Sequence, residues 1–311
     1  MKILDGRELA GFIKERQAAE VRRLVAEGVR PKLVIIRDND NPVIEKYVTL
    51  KKQYGEDIGV EGEDVAVNGK NADEGRYNDK NDSADMNEGA ELRAVVRAAN
   101  DDAKTHGIIV QLPLKNNETV DMIVREIARE KDVDGMVRGA EDSAMAYGED
   151  DGEANGDEHS NDGFDSATAT AINWLLAGHN IELAEKKIAL VGRGRLVGAP
   201  LYRMWKNSGF NVSLFHRGSD LKKLREFDVV VTATGMTGLV TSEMVAPGTV
   251  VVDAGTASEG GVLKGDLDEA VRERTDLKAL TPKIGGVGPL TVAVLFDNVI
   301  TAAKKVTDEE A

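Results

Sequence analysis

The chain has 311 residues, 40 basic and 55 acidic, for a formal net charge of −15, and it contains no cysteine. That length suggests about two domains. The acidic balance disfavours sequence-independent nucleic-acid binding, and the missing cysteines exclude a disulfide framework, thiolate catalysis and Cys-ligated metal sites. Four histidines show no paired ligand spacing, so no metal site is expected. No apolar run approaches the roughly 20 residues of a membrane span, and the N-terminus lacks the apolar stretch of a signal peptide. The expectation is a cytoplasmic protein with no membrane or nucleic-acid partner.

In chain order, residues 8–25 have the spacing of an amphipathic surface helix, with Leu9, Phe12, Ile13, Val21 and Leu24 apolar. Residues 31–36 read as a buried strand. Asn41-Pro42 is an N-cap followed by proline at the first helical position, and the helix runs through Tyr47 and Lys51 to about Gly55. Residues 61–88 are polar and read as mostly loop. A helix is expected from Glu88 to about Lys104, then a strand over Gly107–Val110, a helix from Val120 to Glu130 and a turn over Lys131–Gly135. No Lys or Arg lies between Arg138 and Lys186, and residues 141–165 hold ten acidic residues. Such a segment has little apolar area to offset its ordering entropy, so it reads as a mobile acidic loop between domains. A lid or partner-binding role for it stays open. Helical spacing resumes from Thr168 to Ala177. Strands are expected at Lys187–Val191, Val212–His216, Val229–Ala233, Val250–Asp253 and Lys278–Leu280, alternating with helical patterns in a doubly wound parallel sheet. A last helix spans about Pro289 to Lys305.

Strand Lys187–Val191 runs into Gly192-Arg193-Gly194-Arg195-Leu196-Val197-Gly198. Glycines let backbone amides approach a pyrophosphate, and the helix N-terminus adds about half a positive charge. The reading is a cofactor-binding turn; the bland alternative is a tight strand–helix turn. An NAD site places Asp or Glu after the next strand, where this chain has His216-Arg217-Gly218-Ser219. Arg217, joined by Arg193, suits a 2′-phosphate and so NADP, unless both are simply solvated. Tyr47 and Lys51, four apart on one helix, are either a proton-handling pair or an exposed lysine packed along a ring. Gln111 stands at the C-terminal end of its strand, where α/β sites lie.

Tyr47-Val48-x-x-Lys51, His106 through Leu114, Lys131-Asp132-Val133-Asp134-Gly135, Val191-Gly192-Arg193-x-x-x-Val197-Gly198-x-Pro200 and Thr281-Pro282-x-x-Gly285-Gly286-Val287-Gly288-Pro289-x-Thr291 occur in order. This constellation resembles the bifunctional methylenetetrahydrofolate dehydrogenase/methenyltetrahydrofolate cyclohydrolase family from about Leu4 to Lys304. The resemblance implies two α/β domains: a catalytic folate-binding domain, residues 1–139 plus 289–311, completed by the returning C-terminal helix, and a Rossmann-like NADP-binding domain, residues 140–288. It implies folate in the cleft facing the nicotinamide, and a homodimer. It implies that Lys51 is the key group for methenyl hydrolysis, assisted by Gln111 and Tyr47, with Asp134 on the pterin and Gly286 and Pro289 at the substrate. Gly192, Arg193, Gly194, Gly198, Arg217 and Thr168 fall to the cofactor. Rival readings are the same fold with one activity lost, a non-catalytic folate or nucleotide binder, and an unrelated NADP dehydrogenase.

The chain departs from the family pattern in several places. Ile44 stands at a usual serine, and Gly194 replaces the serine of the glycine turn. Ser166-Ala167-Thr168-Ala169 replaces a Pro-x-Thr-Pro segment, Lys283-Ile284 precedes the double glycine where a proline is usual, and the segment after Gly135 does not match. None of these touches Tyr47, Lys51, Gln111 or Asp134.

Overall fold

The computed structural model describes residues 1–39, 41–67, 89–146, 163–259 and 262–309. In chain order the elements are β1 (Lys2–Ile3), α1 (Arg7–Ala26), β2 (Lys32–Arg37), α2 (Pro42–Ile58), β3 (Glu61–Ala66), α3 (Ala90–Asp101), β4 (Gly107–Val110), α4 (Val120–Val124) and α5 (Met136–Ala146). They continue with α6 (Ala167–Gly178), β5 (Lys187–Val191), α7 (Gly198–Asn207), β6 (Asn211–Phe215), β7 (Val229–Thr232), β8 (Val250–Asp253), β9 (Ala257–Glu259), β10 (Val262–Lys264), α8 (Glu269–Arg272), β11 (Ala279–Leu280) and α9 (Val287–Glu309).

Two compact units emerge. One holds Lys14–Val137 and the chain from Leu295; the other holds Met1–Ile13 and Asp165–Val294, with the described residues from Arg138. In the first unit, β2 is the central strand of a parallel sheet of order β3-β2-β4. All six residues of β2 are buried, residues 33–36 as expected of an apolar run with strands on both sides, and Lys32 and Arg37 paired with Glu63 and Asp64 of β3. Val34, Ile36, Ile108 and Val110 pack against Leu92, Val96 and Ile123 from the helices. The C-terminal helix returns to this unit. Phe296 of α9 stacks on Tyr54 of α2 with ring centroids 5.0 Å apart, and Asn298 donates to the Val133 carbonyl at 2.9 Å.

In the second unit, the parallel sheet runs β1-β11-β8-β7-β5-β6. The order reverses at β5: β6 lies on one side and β7 on the other, so the switch point of a doubly wound sheet falls at the end of β5. Ala189, Val191, Val230 and Val251 from adjoining strands form its core with Leu224, Val240 and Val271.

Several expectations need correction. Residues 61–66 are not loop but the edge strand β3, in register with β2 from Lys32↔Glu61 to Arg37↔Ala66. Arg37, buried at the end of β2, pairs with Asp64 at 2.9 Å, which gives this polar strand its side-chain partner as well as its ladder. The rest of that segment, 68–88, lies outside the described residues. The helix expected from Val120 to Glu130 ends at Val124, giving way to a 3₁₀ turn over Arg129–Lys131. The acidic stretch from residue 141 begins inside helix α5, and only 147–162 lies outside the described residues. Among the described residues one helix stretch, Val287–Val306, is long and apolar enough to cross a membrane by length and composition, contrary to the expectation of no such run. Its Leu290, Val294, Phe296, Val299 and Ile300 are buried within the protein.

Candidate active site

Helix α2 begins as its sequence predicts. Asn41 accepts from the Val43 amide at 2.9 Å, and Pro42 occupies the first helical position. Ile44, Val48, Gly55 and Ile58 form its buried face. At the usual serine position, Ile44 is thus a core residue, 3% exposed. Tyr47 and Lys51 flank that face one turn apart, both half-buried.

Gln111 sits one residue past β4, where its amide donates to the Ile36 carbonyl at 2.8 Å and continues the ladder. Its side-chain Nε2 donates to the Leu112 carbonyl at 2.9 Å, which turns Oε1 toward Lys51. The Lys51 ammonium donates to that oxygen at 2.8 Å. Burial holds Lys51 below the ordinary lysine range, and Asp134 opposes the shift. Burial raises the Asp134 carboxyl, with Lys51 opposing, and burial also raises the Tyr47 phenol. The structure therefore brings Lys51, Gln111 and Asp134 together from a helix, a strand end and a turn.

Each residue of that turn has its own task. The Lys131 ammonium donates to the Asn100 and Asp102 carbonyls at 2.6 and 3.0 Å, satisfying the C-terminal end of α3. Asp132 is buried and accepts from the Met136 and Val137 amides at 3.0 and 2.8 Å, so it closes the N-terminus of α5. Burial pushes its carboxyl up to about 7 against those two amides. Val133 fills the space beside Gly107, where a Cβ would come within 2.9 Å of it. Gly135 takes φ +68°, and Asp134 is left to face Lys51. The anchoring role of Asp132 is hidden in the sequence because the Asp-Val-Asp-Gly run reads as a turn; the signal for it is an Asx acceptor four residues ahead of the apolar pair Met136-Val137.

The second unit carries the glycine turn at its switch point. Gly192 takes φ +112°, and a Cβ there would sit 2.4 Å from the Ala233 carbonyl oxygen. A Cβ on Gly198 would sit 2.1 Å from the Gly192 carbonyl oxygen, so both positions need glycine. Gly194 has nothing within 4 Å of that position, so the absent serine leaves no gap in the packing. This is a cradle that side chains would fill, the construction a dinucleotide requires.

Ser166 replaces a proline by a cap. Its Oγ accepts from the Ala169 amide at 3.2 Å at the start of α6, where Thr168 lies in the first turn, and it donates to the Leu196 carbonyl of the glycine turn. Ser143 of α5 donates to the Arg193 carbonyl at 3.3 Å. Arg203 of α7 pairs with buried Asp142 at 2.8 Å and with Asp165, which also accepts from Arg138 at 3.1 Å. The segment that departs from the family pattern is thus tied to the turn by the Ser143 and Ser166 hydroxyls and to α7 by ion pairs. Replacing Ser166 with alanine removes the cap; unfolding by denaturant should show a loss of about 1 kcal/mol. An unchanged denaturation midpoint would remove Ser166 from this role.

Arg217 is exposed in the turn after β6, where the His216 amide donates to Ser219 Oγ at 3.0 Å and Gly218 takes φ +98°. Arg193 is half-buried. Gly286 is buried in the turn before Pro289 of α9; a Cβ on Gly6 would fall 2.2 Å from its carbonyl oxygen. Lys283 pairs with Glu269, and Ile284 is 73% exposed.

A doubly wound parallel sheet with a glycine cradle at its switch point defines a dinucleotide-binding protein. The Lys51–Gln111–Asp134 group lies in the other unit. Residues 4–134 match the family model of the tetrahydrofolate dehydrogenase/cyclohydrolase catalytic domain, and residues 166–307 match that of its NAD(P)-binding domain. The chain belongs to the tetrahydrofolate dehydrogenase/cyclohydrolase family. The bifunctional protein FolD of Latilactobacillus sakei is 34% identical over 309 residues, covering 98% of each chain. The crystal structure of the bifunctional FolD enzyme of Campylobacter jejuni is 30% identical with TM-score 0.79, covering 98% of this chain and 99% of its own. That of the Trypanosoma brucei dehydrogenase-cyclohydrolase, complexed with NADP cofactor and inhibitor, is 27% identical with TM-score 0.79 and covers 98% of each chain.

Proposed function

We propose that this chain oxidises 5,10-methylenetetrahydrofolate to 5,10-methenyltetrahydrofolate with NADP and hydrolyses the product to 10-formyltetrahydrofolate, as an enzyme of one-carbon metabolism. The observation that carries the reading is the desolvated Lys51 amine held by Gln111 beside Asp134, in a chain whose other unit is built around a dinucleotide cradle.

The two steps make different demands. Bound NADP supplies the hydride acceptor. Loss of hydride from the methylene carbon leaves a cation delocalised over two nitrogens, so that step needs alignment and no acid or base. Gly192, Arg193, Gly194, Gly198 and Thr168 would hold the dinucleotide, and Arg217 with Arg193 its 2′-phosphate. Water attack on the methenyl carbon releases a proton. Lys51, with its pKa lowered by burial, takes that proton; as the adduct's hydroxyl loses its own proton to solvent and becomes the formyl carbonyl, the C–N5 bond breaks and Lys51 returns its proton to N5. Gln111 holds the amine in place, Tyr47 closes the same face of α2, and Asp134 binds the pterin ring. Gly286 and Pro289 belong to the substrate, and the enzyme works as a cytoplasmic homodimer.

A spectrophotometric assay with methylenetetrahydrofolate and either NADP or NAD tests the whole reading. Reduced cofactor and a transient methenyl absorbance that then decays are expected. Reduction without decay would leave a dehydrogenase alone; no reduction would remove the dehydrogenase. Cofactor choice has its own test: in Arg217→Ala, NADP should weaken by about 1.5–3 kcal/mol, or roughly one to two decades, with NAD little changed. Equal effects on the two cofactors would show that Arg217 does not read the phosphate.

A further inference from the structure

Two buried carboxylates at the carboxyl end of the six-stranded sheet have no part in the roles assigned so far. Asp266, just after β10, is 0% exposed. Its Oδ2 accepts from the Thr234 amide at 2.7 Å and its Oδ1 from the Met236 amide at 2.9 Å. Asp253, at the end of β8, supports it from behind. Asp253 Oδ1 accepts from the amides of Asp266 and Gly255, both at 3.1 Å, and from Thr232 Oγ1 at 3.2 Å. Its Oδ2 accepts from the Leu267 amide at 3.3 Å and pairs with Arg272.

Burying two neighbouring carboxylates is costly unless their oxygens are well supplied with donors. Burial and the nearby Asp253 raise the Asp266 carboxyl, while the Thr234 and Met236 amides draw it down. The cost falls at one particular loop. That loop leaves β7 at the switch point, where the Ala233 carbonyl and the Thr234 methyl lie 2.4 and 3.3 Å from the position of a Gly192 Cβ. The amides that Asp266 grips belong to Thr234 itself and to the residue two further on.

We infer that Asp266 is a positioning residue for the cofactor: by holding the Thr234 and Met236 amides it fixes the wall against which the first glycine of the turn is fitted. The inference rests on the dinucleotide reading of that turn. A merely structural tie would stabilise the unit without favouring either activity.

The test is the split between NADP affinity and methenyl hydrolysis. Asp266→Asn keeps the shape but offers one acceptor to two amides and turns a donor toward the second. Isothermal titration with NADP alone should show Kd rising about tenfold, as for a lost charge-assisted bond. Methenyl hydrolysis should stay near the parent, because Lys51, Gln111 and Asp134 lie in the other unit. Gly255→Ala is the second variant. Its Cβ would fall 2.1 Å from Asp266 Oδ1, displacing the carboxylate without removing its charge, and the same split is expected. Kd unchanged in both variants, NADP affinity and hydrolysis falling in parallel, or failure of both variants to fold would each overturn the assignment. A parent chain that binds no NADP would instead overturn the cofactor reading itself.

Discussion

Lys51→Met should slow methenyl hydrolysis by roughly 10²–10⁴-fold while leaving hydride transfer measurable. The methionine stem matches the lysine stem in length and packs in the same half-buried slot, so the substitution removes an amine and little else. Without it, the proton released by attacking water has no acceptor, and Gln111 loses the donor at 2.8 Å that it holds. General-base catalysis of this kind contributes roughly 10²–10⁴-fold, and the hydrolysis rate should fall by that amount. The dehydrogenase step handles no proton and should keep part of its rate, so methenyl product should accumulate. In the parent, the pH profile of hydrolysis gives an independent check. Burial lowers the Lys51 pKa, so the neutral amine appears at lower pH than for a free lysine. Hydrolysis should therefore rise with pH and level off below the ordinary lysine pKa, and the rise should vanish in Lys51→Met. A variant with undiminished hydrolysis would remove Lys51 from the step.

What the sequence disclosed followed from how strongly each element is constrained by its own residues. The central residues of β2, β4, β5, β7 and β8 are buried, so these strands appear as short apolar runs with polar residues only at their ends. β3 did not, because it is an edge strand whose residues 61–65 are exposed or half-buried; its ladder to β2 and the Arg37–Asp64 pair specify it, and both are tertiary. β1 is two residues long and exists through its pairing with β11. Helix α5 was hidden by its own start, since the buried carboxyl that nucleates it sits inside an apparent turn. In the site, Lys51 is legible as a helix-face residue and Gln111 as a strand-end residue. Asp266 is not, because nothing local distinguishes an acid that grips a loop 30 residues upstream from a solvated one. Two prolines of the family pattern are absent around Thr168, and in their place Ser166 provides both a helix cap and a tie to the glycine turn.

The glycine turn offers a sharper contrast, between positions two residues apart. Gly192→Ala places a Cβ 2.4 Å from the Ala233 carbonyl oxygen and demands φ +112° of an L-residue. Strain of that kind costs about 1–3 kcal/mol even before the contact is relieved. The relief has to come from backbone, since the opposing atom is a carbonyl on the wall of the crevice. NADP binding should fall by two decades or so, the upper end of that range, and the dehydrogenase rate with it. Gly194→Ala meets no atom within 4 Å and requires no positive φ, so its NADP affinity should stay within about twofold of the parent. Methenyl hydrolysis serves as the internal reference in both, because its residues belong to the other unit. Titration of NADP against the three proteins decides the matter: if Gly192→Ala binds like the parent, the turn does not carry the pyrophosphate, and the cofactor must be held elsewhere on the sheet.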